Sequence, residues 1–177
     1  MIDERSSSDL CNACGLCCNG VLFDHVAIEA GESEQVARLG FALSTAKEGG
    51  ERFAQPCPMF RNNCCSIYAD RPGSCRGYRC ELLKKLEAGE IGFDAAIGRV
   101  AEAKAILERI RPLLDGRRDG AAGKQWAALL KEWQSRSPEE RAAGQEGHLV
   151  LELALLNRFL NLHFRSESDI RRVMGED

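Results

Sequence analysis

The chain has 177 residues, 44% of them hydrophobic, and a formal net charge of −3. This is enough for one packed domain, or a small domain with a helical extension. A slightly acidic balance gives no general attraction to nucleic acid or to an anionic membrane surface. Nine cysteines, Cys11, Cys14, Cys17, Cys18, Cys57, Cys64, Cys65, Cys75 and Cys80, all fall before residue 81.

The opening MIDERSSSDL is acidic and polar and carries no apolar secretory core. No stretch is long and apolar enough to span a bilayer, since the richest, Leu149 to Phe164, is interrupted by Glu152, Asn157, Arg158 and Asn161. A cytoplasmic location is therefore expected. There thiols stay reduced, and dense cysteines point to metal or redox chemistry rather than to a disulfide framework.

Val21 to Glu29 predicts a strand, Glu32 to Leu39 a short helix, Lys47 to Gly50 a turn, and Arg52 to Gln55 a second strand ended by Pro56. Asn62-Asn63 and Arg71-Pro72-Gly73 are further turns. Large apolar side chains are sparse in this half, which needs staples. From residue 81 the pattern turns helical. Ala96, Val100, Ala103, Leu107, Ile110 and Leu114 form one seam, with Pro112 set to kink or end it. Trp126, Leu129, Leu130 and Trp133 form a second apolar face and read as core. Ser137-Pro138-Glu139-Glu140 has the N-cap serine, N1 proline and N3 glutamate of a capping box. Leu149, Leu153, Leu156 and Leu160 make a third face, with breaks expected at Gly144 and Gly147, and Ser168 to Val173 adds a last turn or two. The expected fold is α+β: a small metal-stapled cysteine-rich domain over residues 1–80, followed by a helical region over residues 81–177 packed on it.

Cys11-Asn12-Ala13-Cys14-Gly15-Leu16-Cys17-Cys18 contains two C-x-x-C steps sharing Cys14. Such a step turns two sulfurs toward one ion while backbone N–H groups face the thiolates, and Gly15 suits a turn needing positive φ. C-x-x-C-x-x-C is also the spacing that wraps an iron–sulfur cubane, for which Cys57-Pro58 is a candidate fourth ligand. Cys17 and Cys18 are adjacent, and neighbouring side chains diverge. Two sites are thus favoured over one, with four sulfurs from the first block and four or five from Cys57, Cys64, Cys65, Cys75 and Cys80. Two Cys₄ zinc sites, or one cubane and one zinc, both remain open. Arg61, Arg71, Arg76 and Arg79 would hold the thiolates deprotonated. Tyr68, Arg71 and Pro72 read as structural, with Arg71 pairing a backbone carbonyl or a carboxylate, and His25 reads as a satisfied strand histidine rather than a ligand. No serine–histidine–acid arrangement, Walker loop or dinucleotide fingerprint is present.

The run CNACGLCC, then Cys57, then Cys65 to Cys80 as CSIYADRPGSCRGYRC resembles the YkgJ-type cysteine-cluster proteins, the CxxCxxCC family of zinc- or iron-chelating domains. The resemblance covers residues 11–80. It implies eight principal metal ligands, Cys11, Cys14, Cys17, Cys18, Cys57, Cys65, Cys75 and Cys80, binding zinc or iron, with a 4Fe-4S cluster as one form of the iron. Cys64 is extra to the pattern. A similar cluster occurs in flagellin lysine N-methylases, so an iron–sulfur enzyme or accessory factor, for example in protein lysine methylation, is the alternative to a metal-binding protein. Metal ions are the expected partners, with no nucleic acid and no membrane.

Overall fold

The sulfur-bearing segments hang from a helical framework. In the computed structural model, residues 7–46, 49–114, 135–143 and 147–174 are described. Helix α1 (Ser7–Cys14) leads into the cysteine doublet, and the chain then enters a three-stranded antiparallel sheet of β1 (His25–Ala27), β2 (Leu43–Thr45) and β3 (Glu51–Ala54), ordered β1-β3-β2. Helix α2 (Ser33–Arg38) connects β1 to β2. A two-residue turn, Asn62-Asn63, joins β4 (Phe60–Arg61) to β5 (Cys64–Cys65). Both asparagines have positive φ, 50° and 61°, the left-handed geometry that asparagine tolerates and a tight hairpin needs. A single 3₁₀ turn (Tyr68–Asp70) and α3 (Gly73–Gly77) complete this lobe, followed by α4 (Glu81–Glu87), α5 (Phe93–Leu114), α6 (Pro138–Ala143), α7 (Gly147–His163) and α8 (Glu167–Met174). The fold class is α+β, as the sequence predicts.

The apolar seams place the core. Ala96, Val100, Ala103 and Ile110 of α5 are buried against Leu149, Leu153, Leu156 and Leu160 of α7, and Leu10, Leu16, Val21, Leu22 and Phe23 join the same core from the cysteine-bearing end. A second, smaller core holds three buried residues, Val36, Phe41 and Phe53. Val26 and Leu43 both lie opposite Phe53 in the sheet register, which puts them on its face. Phe41 and Phe53 meet with centroids 4.5 Å apart.

Several local expectations change. The strand predicted from Val21 to Glu29 is only His25–Ala27, because Val21, Leu22 and Phe23 are drawn into the helical core instead of a sheet. The strand predicted at Arg52 to Gln55 begins one residue earlier, at Glu51. Helix α5 continues past Pro112 to Leu114. The Trp126 to Trp133 face, Lys47 of the first turn and Gly144 lie outside the described residues. The capping box is present: Ser137 Oγ accepts from the Glu140 N–H at 3.2 Å, and a Glu140 carboxylate oxygen accepts from the Ser137 N–H at 2.8 Å. Ser166 and Asp169 repeat it at the start of α8, with bonds of 3.0 and 3.2 Å.

One charged pair crosses the main helix interface. Arg109 of α5 donates twice to the Glu152 carboxylate of α7, both bonds 2.9 Å. These bonds hold the Glu152 carboxyl below its ordinary value of 4.5. A depressed carboxyl contributes stability that is present above the ordinary carboxylate range and is lost as pH falls through the folded-state value. The thermal midpoint of Arg109→Gln should therefore lie below that of the parent chain near neutral pH, and the gap should close as Glu152 is protonated. A gap independent of pH would assign the loss to packing.

Candidate metal centre

Local geometry brings the sulfurs together. Cys11 and Cys14 are one turn apart at the end of α1, so they share a face. The helix stops at Gly15, whose φ of +70° reverses the chain, and the Cys18 and Asn19 N–H groups then donate to the Gly15 carbonyl at 3.0 Å. A Cβ at residue 15 would fall on the Phe60 ring, so glycine is required by both backbone and space. Phe60 thereby seats the β4–β5 hairpin on the cysteine turn. The Cys57 N–H donates to the Cys18 carbonyl at 2.8 Å, a second tie between the two blocks. Cys75 rides on α3, whose first N–H, at Gly73, is held by the Glu32 carboxylate at 2.9 and 3.0 Å. Cys80 is the N-cap of α4, its sulfur accepting from the Leu83 N–H at 3.4 Å.

Cys11, Cys14, Cys17, Cys18, Cys57, Cys65, Cys75 and Cys80 all line one cavity of about 330 Å³; Cys64 does not. Within it the sulfurs fall into two sets. After burial, the groups that most oppose ionisation of Cys17 are Cys14 and Cys80, then Cys18 and Cys11. For Cys18 they are Cys57, Cys65 and Cys75, with Cys14 last. Cys75 in turn feels Cys57 and Cys65, and Cys14 feels Cys80 and Cys11. The packing agrees: Cys14, Cys17 and Cys80 lie against the large core, and Cys57 and Cys75 against the smaller one, with the Cys57 N–H bonded to the Cys18 carbonyl. Cys57, a candidate fourth ligand for the C-x-x-C-x-x-C run, sits with Cys18; Cys80 occupies the place beside that run.

At Cys11 and Cys75, burial outweighs the neighbouring arginines. Burial pushes Cys14 and Cys18 up to about 12, and Cys75 and Cys80 up to about 11. Arg71 and Arg79 pull Cys11 down, and Arg71 does the same to Cys75, yet desolvation outweighs both. The arginines also have other work. Arg71 donates to the Tyr68 carbonyl at 2.9 Å and stacks 3.6 Å from its ring centroid, as a structural reading of that motif expects. Arg79 donates to the carbonyls of Arg76 and Tyr78. His25 is paired with Asp24 at 2.5 Å at the edge of the cavity.

Among the described residues, no three His, Cys, Asp or Glu side chains converge closely enough to grip an ion as they stand. The donor chemistry nonetheless fits a soft or borderline metal. Eight thiols share one cavity, and N–H groups of Leu16, Met59, Phe60, Leu82 and Leu83 aim at Cys14, Cys57 and Cys80, where they stabilise thiolate. Residues 10–93 match the family model CxxCxxCC, described as "Putative zinc- or iron-chelating domain". The match covers just under half of the chain. No curated protein and no solved structure matched the chain. The matched segment begins inside α1 and ends at the first residue of α5, so it holds every cysteine of both sets. No helix among the described residues is long and apolar enough to cross a membrane.

Three further residues that support the matched segment were not singled out in the sequence. Arg165 is buried and donates to the carbonyls of Val21 and Leu22, just after the doublet, and to Oδ1 of Asn157 and Asn161 at 2.7 and 2.9 Å. Burial lowers it to about 10, so it stays charged at neutral pH. The available signal was the four-residue spacing of Asn157, Asn161 and Arg165, a polar stripe that runs off the end of an apolar helix. Tyr78 donates to Asp169 of α8 at 3.1 Å and packs edge-on to Phe23, closing the side of the cavity near Cys17 and Cys80. Lys104 of α5 donates to the Ala13 carbonyl at 2.6 Å and caps the end of α1.

Proposed function

We propose that the chain is a two-centre metal-binding protein that chelates, stores or delivers zinc or iron. Cys11, Cys14, Cys17 and Cys80 would hold one ion, and Cys18, Cys57, Cys65 and Cys75 the other. The observation that carries this reading is that eight thiols line one cavity, with Cys14, Cys17 and Cys80 packed against the large core and Cys57 and Cys75 against the smaller one. A bound ion would supply the cross-link between segments that the small core lacks, and its binding would displace the protons that burial leaves on the thiols.

Cys64 and Cys65 give the sharpest test. They are adjacent in β5, but only Cys65 lines the cavity, while Cys64 is exposed. Cys65→Ser should lose about one zinc equivalent and lower the thermal midpoint, since serine is a poor zinc ligand at a site built for sulfur. Cys64→Ser should keep its metal and cost about 0–2 kcal/mol. Elemental analysis and thermal melts of both variants decide it. Metal loss in Cys64→Ser alone would reverse the register, and loss in both would require a ninth sulfur.

A second reading has its own support. The first set contains the whole C-x-x-C-x-x-C run, the spacing that wraps a cubane, with Cys80 beside it. In that case the chain is an iron–sulfur protein, as an enzyme or accessory factor would be. Anaerobically prepared protein would then be brown and carry about four irons at that set, whereas zinc-loaded protein is colourless.

A further inference from the structure

The two sulfur sets are built into unlike surroundings. Cys14, Cys17 and Cys80 pack against the large core, backed by α1, α4 and α5 and closed by Tyr78 on Asp169. Cys57 and Cys75 pack against the three-residue core of the sheet lobe. The elements that carry Cys65 and Cys75 are short, since β5 has two residues and α3 has five, and Cys57 lies between β3 and β4. Segments with so few buried contacts open locally at low cost, and segments held in a main core do not.

A separate observation points to the same side. Gln55 is 5% exposed, lines the sulfur cavity and stands two residues before Cys57. Its Oε1 is the one buried side-chain nitrogen or oxygen without a hydrogen-bond partner among the described residues. Unpaired buried carbonyls are rare in folded proteins and invite a donor. An amide carbonyl accepts an S–H or O–H hydrogen bond but cannot displace thiolates from a soft metal.

We propose that the Cys18, Cys57, Cys65 and Cys75 set is the exchangeable centre of the pair, and that the Gln55 carbonyl receives the incoming ligand, a small thiol. In the exchange the incoming thiol binds the ion through sulfur as one cysteine leaves, and its proton passes to that departing cysteine. No electrons move. This inference rests on the two-centre reading.

The test uses the full-length zinc-loaded chain, a chromogenic chelator and glutathione as the thiol. Zinc should leave in two phases of equal amplitude, with rates about tenfold apart. Glutathione should accelerate the fast phase alone. Cys75→Ser should abolish the fast phase and keep the slow one. Gln55→Leu should retain both zinc ions yet lose most of the acceleration by glutathione. Two zinc ions leaving in a single phase, or loss of the slow phase in Cys75→Ser, would overturn the inference while leaving two-centre binding intact. Undiminished acceleration in Gln55→Leu would remove Gln55 from it. Fewer than two zinc ions at the start would overturn the two-centre reading and this inference together.

Discussion

Replacing Arg165 with methionine should cost about 3–5 kcal/mol of stability, among the largest effects of any single substitution outside the cysteines. The guanidinium donates to four acceptors, two backbone carbonyls and two asparagine side chains, from a site 6% exposed. Methionine keeps much of the bulk but none of the donors. Each buried acceptor left unpaired costs about 1–3 kcal/mol, less where water can enter. The effect reaches the metal centre, because Val21 and Leu22 are the anchored residues that follow the doublet. Zinc affinity should fall along with the denaturation midpoint. Exposed Arg158, on α7, is the control: Arg158→Met should stay within about 0.5 kcal/mol of the parent chain. A loss below about 1 kcal/mol in Arg165→Met would show that solvent replaces the guanidinium, and the clamp would have to be abandoned.

Stripping metal with a chelator under reducing conditions should unravel the sheet lobe first. Its core has three buried residues, and β1, β2 and β3 are three or four residues long. Structural zinc contributes roughly 10–16 kcal/mol of apparent binding energy in small peptides, far more than three apolar side chains supply. Helices α5 and α7 bury Ala96, Val100, Ile110, Leu153, Leu156 and Leu160 against one another and do not depend on the cavity. Hydrogen exchange with and without chelator should show amide protection falling over residues 25–65 and persisting in both helices. The turn at residues 15–23 should be intermediate, since it belongs to the helical core but carries two of the ligands. Equal loss throughout would mean that the chain unfolds as one unit around its metal.

The sequence was most informative where periodicity or pairing is local. The α5 and α7 seams, the Ser137 capping box and the Asn62-Asn63 hairpin turn each depend on residues within one or two turns of chain. The reading of the doublet rests on equally local geometry, since adjacent side chains usually point apart. Other features depend on distant partners. Helix α1 was hidden because Asp9 and Asn12 are weak helix formers, and its end is secured by Lys104, ninety-one residues away. Val21 to Phe23 have the look of a strand, and only the helices around them decide otherwise. The company kept by Cys17 and Cys18 could not be read from spacing, because Cys80 reaches the first block through the placement of α4 against α1.

The shared core has a consequence for where this protein can be cut. The family-matched segment stops at residue 93, but Leu10, Leu16, Val21 and Leu22 find their neighbours in α5 and α7. A fragment ending there would retain every sulfur and forfeit Arg165, Asp169, Lys104 and the apolar wall behind the first set. Its leucines would face water and its chains would associate through them. The unit of recognition in the sequence is therefore smaller than the unit of folding, and a minimal metal-binding piece must reach at least as far as α8.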